Sequence, residues 1–134
     1  MSRTTTLWWQ IYLEKGERFA TSKRVRKMYD DLENAGVFKN HPQLFLTGLA
    51  VGILTGKTST EPAVEDMIRL ETYVDSDPYG VFPTYLVGEN PGCTPKELAR
   101  IMEKYADAGI EIINQQFKST GKVDFAKLKE LGSN

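Results

Sequence analysis

The chain holds a single cysteine, Cys93, and a single histidine, His41, among its 134 residues. One cysteine cannot close a disulfide within the chain, so the fold does not depend on oxidation and a cytoplasmic setting is expected. One cysteine and one histidine also fall short of the roughly four ligands of a Cys/His zinc site. Acids are not scarce, so an all-carboxylate magnesium site survives that count. Long hydrophobic runs are missing too. The longest, Leu44 to Leu54, contains Thr47 and is too short for the roughly 20 apolar residues of a membrane span. A secretion signal is not expected, because Arg3 is followed by Thr4, Thr5 and Thr6 and the apolar run from Leu7 is broken by Gln10 and Glu14. Internal repeats and low-complexity tracts are lacking.

What is present is the composition of a soluble globular chain, 40% hydrophobic and 26% charged. The length fits one domain, residues 1–134, able to bury roughly two-thirds of its unfolded surface. The net charge of −1 argues at first against an anionic partner. It averages two unlike regions. Residues 1–27 hold seven basic groups (Arg3, Lys15, Arg18, Lys23, Arg24, Arg26, Lys27) against Glu14 and Glu17, a net +5, and the remainder carries −6.

Periodicity predicts a mostly helical chain. Leu7, Trp9, Ile11 and Leu13 alternate with Trp8, Gln10, Tyr12 and Glu14, which favours a strand returning through Lys15-Gly16 to Arg18–Ala20; a helical N-terminal arm over 1–21 is the alternative. Over 22–35, Val25, Met28, Leu32 and Ala35 share one helical face, Ser22 or Thr21 can cap the start and Gly36 can end it. Residues 41–55 read as a helix capped by Asn40, with Pro42 in its first turn and Gly56 at its end. Its apolar residues point in every direction, which predicts a buried central helix; Gly48 and Gly52, one turn apart, would let another backbone approach. Residues 60–75 fit a helix to about Leu70 followed by an extended piece. Asp77-Pro78 starts a short helix with Pro83 either in its first turns or kinking it. Thr94, Pro95 and Glu97 form a capping box ahead of a long stripe from Leu98 to Phe117 that stops at Gly121, and a last helix is expected over Val123–Leu131. The expected fold is all-α, four to five helices around the helix at 41–55, with a short N-terminal β-ribbon as an addition.

Most chemistry-bearing residues have a plainer explanation. Gly56-Lys57-Thr58 resembles the end of a P-loop, but position 51 is valine and the motif follows a helix, so a glycine C-cap is the better account. His41 beside a helix start reads as a cap or surface residue before a general base. Cys93 could be activated only by a helix terminus or by His41 reaching it. Glu103, Asp107 and Glu111, spaced by four, lack the Glu-x-x-His partner of a helical metal site and read as a solvated face beside Arg100 and Lys104. No catalytic, metal-ligating or cofactor-binding residue is therefore assigned.

One constellation stands apart. Lys23, Arg24, Arg26 and Lys27 crowd the first turns of a helix, the wrong end for cations in the helix dipole. They lie close to Arg18 and to Trp8 and Trp9, whose alternation turns one indole outward. Aromatics interleaved with cations stack on bases and hold phosphates. Trp8, Arg18, Lys23, Arg24, Arg26 and Lys27 are the candidate contact residues, for DNA or for an acidic protein surface.

Three further pieces carry a family resemblance: Tyr29-Asp30-Asp31-Leu32 leading to Gly36-Val37-Phe38-Lys39, Gln43-Leu44-Phe45-Leu46 running into Leu49-Ala50-Val51-Gly52, and Tyr105-Ala106-Asp107-Ala108-Gly109-Ile110-Glu111-Ile112-Ile113. In order and spacing, Val25 to Phe117 resembles small accessory proteins of bacterial DNA-phosphorothioation (Dnd-type) modification and restriction clusters. The resemblance implies a prokaryotic, antiviral-defence setting and no particular activity. The leading expectation is a non-enzymatic accessory module contacting DNA or a DNA-bound partner. A protein–protein adaptor or homo-oligomer is the alternative, and a small metal-dependent nuclease built on clustered acids is a third.

Overall fold

The computed structural model describes residues 18–124 together with 126 and 127. The chain is mostly helical with one small sheet. Strand β1 (Arg18–Thr21) leads into α1 (Lys23–Asn34) and α2 (His41–Thr55); strand β2 (Glu65–Arg69) follows, then α3 (Leu70–Ser76), α4 (Val81–Glu89) and the long α5 (Pro95–Thr120). The expected strand at 7–13, residues 1–17 of the expected arm or ribbon over 1–21 and most of the expected helix at Val123–Leu131 lie outside the described residues; the described end of that arm, 18–21, is a strand and not a helix.

The helix boundaries follow local chemistry. Ser22 caps α1 by accepting from the Val25 N–H, and Asn40 caps α2 by accepting from Gln43. At the start of α5, Thr94 and Glu97 each bond the other's backbone N–H, satisfying two donors that a helix start leaves open. Gly56 and Gly121 end α2 and α5 at φ 70° and 79°, where a Cβ would be strained. Helix α4 is capped from further back. Asp77 accepts from the N–H groups of Val81 and Phe82 and from the Tyr73 hydroxyl at 2.7 Å. Pro83 sits in the first turn of α4, one of its two expected placements.

Two expectations need correction. Residues 65–69 are a strand and 70–76 a helix, the reverse of the predicted order. The apolar spacing there suits either period, and pairing decides it: β1 lies antiparallel to β2, with Phe19 opposite Ile68 and a bulge that leaves Met67 unmatched before Ala20 meets Asp66. Among the described residues the partner of residues 18–21 is thus a segment more than forty residues away, while the predicted pairing with residues 7–13 lies outside them. The second correction concerns α2, which is not enclosed on every side. Leu44, Phe45, Leu49 and Val51 are buried, but Leu46 and Ile53 are half-buried and Leu54 is 58% exposed. Helix α2 shares the core with α5, and its last turn faces outward at Leu54.

The core lies along the α2–α5 crossing. A Cβ built on Gly109 would stand 1.8 Å from the Gly48 carbonyl oxygen, and one on Gly52 would stand 2.1 Å from that of Tyr105. The two backbones are therefore in contact, which is what the one-turn spacing of Gly48 and Gly52 implied. Beside this crossing Phe19, Phe45 and Tyr73 form a ring cluster with centroids 5.0–5.9 Å apart, joining β1, α2 and α3.

Candidate interaction surface

The basic segment is laid along one face of α5, and the side chains of α5 hold it there. Arg100 donates to the Arg18 carbonyl at 3.2 Å, and the Ala20 N–H donates to Glu103 Oε2 at 2.7 Å. One turn on, Asp107 accepts from the Thr21 hydroxyl at 2.6 Å and from the Ser22 N–H at 3.0 Å. A further turn on, Glu111 pairs with Arg24. Positions 18, 20, 21–22 and 24 thus meet positions 100, 103, 107 and 111, so the strand, the helix cap and the first turn of α1 are laid in order along successive turns of α5.

This overturns the solvated-face reading of the acids. Glu103 and Asp107 are each 2% exposed, and only Glu111 is half-buried. Burial of a carboxylate is costly unless hydrogen bonds compensate, and backbone N–H groups at the strand-to-helix junction supply them. Asp107 records the balance. Burial raises its pKa to about 6; the bonds from Thr21 and Ser22 oppose the rise, and the charges of Glu111 and Glu61 add to it. Tyr29 lies in the same buried region. Burial, then the charges of Asp107 and Glu103, raise its pKa, and its hydroxyl finds no hydrogen-bond partner among the described residues. The sequence carries no local sign of this burial, since Glu103, Lys104 and Glu111 are neighbours of Asp107 one turn away on its own helix.

The candidate contact residues divide into two groups. Arg24 is committed internally: its Nε lies 3.0 Å from Glu61 Oε2, and Glu111 is its second partner. These hydrogen bonds, Glu61 first, raise the Arg24 pKa, and in return Arg24, then Ser22, hold Glu61 below the usual carboxylate range. Arg26 lies 3.6 Å from Asp30 and donates weakly to the Asp66 carbonyl. Lys23 and Lys27 are exposed, one turn apart on α1, with no ion pair among the described residues, and Arg18 is exposed at the start of β1. Trp8 lies outside the described residues.

The other singled-out residues have separate surroundings. His41 opens α2 with its Nε2 3.2 Å from both Asp30 and Glu33, and its ring meets Tyr29 edge-on. Cys93 lines a cavity of about 490 Å³ with residues of the 90–92 turn and with Glu97, Arg100, Ile101 and Lys104. Gly56 acts as the C-cap of α2, with Lys57 exposed after it. Among the described residues no cluster of three or more His, Cys, Asp or Glu side chains is arranged to hold a metal ion, and no helix is long and apolar enough to cross a membrane. Comparison with family models, with curated proteins and with solved structures finds no match.

Proposed function

We propose that this protein is a non-enzymatic accessory module that contacts DNA, or a DNA-bound partner, through the basic start of α1 and the segment before it. The observation that carries the reading is the exposed pair Lys23 and Lys27. They stand in a helix start that has no acid in its first turn and does not favour cations locally. Arg24 and Arg26 add charge nearby but are partly neutralised by Glu61, Glu111 and Asp30, so the two lysines are the principal phosphate contacts. The likeness of Val25 to Phe117 to accessory proteins of DNA-phosphorothioation clusters supports a prokaryotic defence setting, inside the cytoplasm.

The test is a titration of duplex and single-stranded DNA at low and high salt. Each phosphate contact contributes about 0.9 to the salt slope on duplex DNA, so Lys23→Glu with Lys27→Glu lowers the slope by about 2. Absence of salt-sensitive binding in the parent protein would rule the DNA reading out. The adaptor alternative is favoured by a different observation, the exposed apolar side chains of Tyr79, Val81 and Tyr85.

A further inference from the structure

Helix α4 departs from its own pattern further than α2 does. It has no charged residue before Glu89 and is apolar on every side, a pattern normal for a buried helix. Yet only Pro83 and Leu86 are buried. Val81 and Tyr85, one turn apart, are 59% and 49% exposed, and Tyr79 in the preceding turn is 81% exposed. Three of the five exposed large hydrophobic side chains among the described residues therefore fall in this one stretch, whereas the other two, Leu54 and Val64, lie elsewhere in the chain. Scattered exposed hydrophobics are ordinary; a cluster of two tyrosines and a valine on one short element is the composition of an interaction site.

The charges nearby define what fits. Residues 70–95 contain no lysine or arginine and four acids. Asp77 is buried and spent on capping α4, but Glu71, Asp75 and Glu89 are exposed and form no ion pair among the described residues. We infer that the exposed stretch carrying Tyr79, Val81 and Tyr85 docks a cationic amphipathic segment of a partner protein, with apolar side chains seated on the tyrosines and lysines or arginines meeting Glu89, which continues the Val81–Tyr85 row one turn on, and the acids that precede it in the chain. Charge complementarity selects this occupant. A nucleic acid would be repelled. A second copy offering the same face would set acid against acid. A second copy offering the start of α1 would bring lysines without apolar anchors, since Val25 and Tyr29 are buried there. The inference is independent of the DNA reading and involves none of its residues.

The test uses the full chain and two fluorescent synthetic peptides, one a leucine/lysine amphipathic helix and the other its leucine/glutamate counterpart. The lysine peptide binds the parent protein. Tyr79→Ser with Tyr85→Ser weakens binding by about tenfold or more, and Glu71→Lys with Asp75→Lys does so independently. All four side chains are exposed, so thermal unfolding of both variants matches the parent. Lys23→Glu with Lys27→Glu leaves peptide binding intact, which separates this surface from the DNA reading. Three results overturn the inference: no binding of the lysine peptide, equal binding of both peptides, or unchanged affinity in the tyrosine variant. Light scattering that finds a parent dimer and a monomeric tyrosine variant would also overturn it, because the occupant would then be a second copy.

Discussion

Helix α5 touches the rest of the molecule on two faces that work by opposite means. On one, Gly109 and its neighbours meet Gly48 and Gly52 of α2 backbone to backbone, and contact is achieved by having no side chain at all. On the other, Arg100, Glu103, Asp107 and Glu111 reach the backbone and side chains of residues 18–24, and contact is achieved entirely through polar side chains. The first face is indifferent to pH and intolerant of volume. The second tolerates isosteric change but keeps carboxylates out of water. A single helix thus carries a steric joint and an electrostatic one, and each should fail in its own way.

The steric joint gives the largest expected effect. Gly109→Ala places a Cβ against the Gly48 backbone, where no side chain can rotate away, and the helices must separate. A loss of about 3 kcal/mol or more is expected in urea or thermal unfolding. A variant melting like the parent would show that the two helices have slack between them.

The polar joint gives a smaller effect with a pH signature. The pKa of Asp107 in the folded chain, about 6, lies above its ordinary 3.8, so folding favours the protonated form. Its contribution is fully present below about pH 3.8 and is lost as pH rises to about 6, with a ceiling of about 3 kcal/mol. Asp107→Asn keeps an acceptor for Ser22 and removes the charge. The parent-minus-variant stability difference therefore falls with rising pH across that window and is flat above it. A difference that is constant with pH would mean that Asp107 is already solvated in the native state.

The smallest effect sharpens the comparison from outside. Gly88 also lies within a helix, but a Cβ there meets nothing within 4 Å. Gly88→Ala is expected to stabilise by about 0.5–1 kcal/mol, the ordinary helical preference for alanine. Destabilisation at Gly88 would mean that backbone geometry, not contact, governs the helical glycines.

The two joints were not equally legible. The spacing of Gly48 and Gly52 within an apolar helix announced a close crossing, and the caps at Ser22, Asn40, Thr94 and Gly56 announced most helix ends, because these signals are local or periodic. The polar joint left no such mark. Glu103, Asp107 and Glu111 at intervals of four look the same whether they face water or a strand, and the difference lies in donors more than eighty residues away. The inverted order of β2 and α3 has the same origin. Ile68 and Leu70 fit either period, and the strand that settles the matter comes from residues 18–21. The basic start of α1 was legible as charge, whereas the division between paired Arg24 and unpaired Lys23 and Lys27 required Glu61 and Glu111 to be located.

The sequence separation in the polar joint also orders events during synthesis. Residues 18–24 wait for partners 82 to 87 positions later in the chain. At roughly 5–20 residues per second, that is several seconds of translation. Throughout that interval the nascent chain presents Arg18, Lys23, Arg24, Arg26 and Lys27 without the acids of α5, beside a ribosome whose surface is rich in phosphate. Arg24 gains Glu61 first and Glu111 only when α5 arrives, whereas Lys23 and Lys27 stay without an ion pair among the described residues throughout.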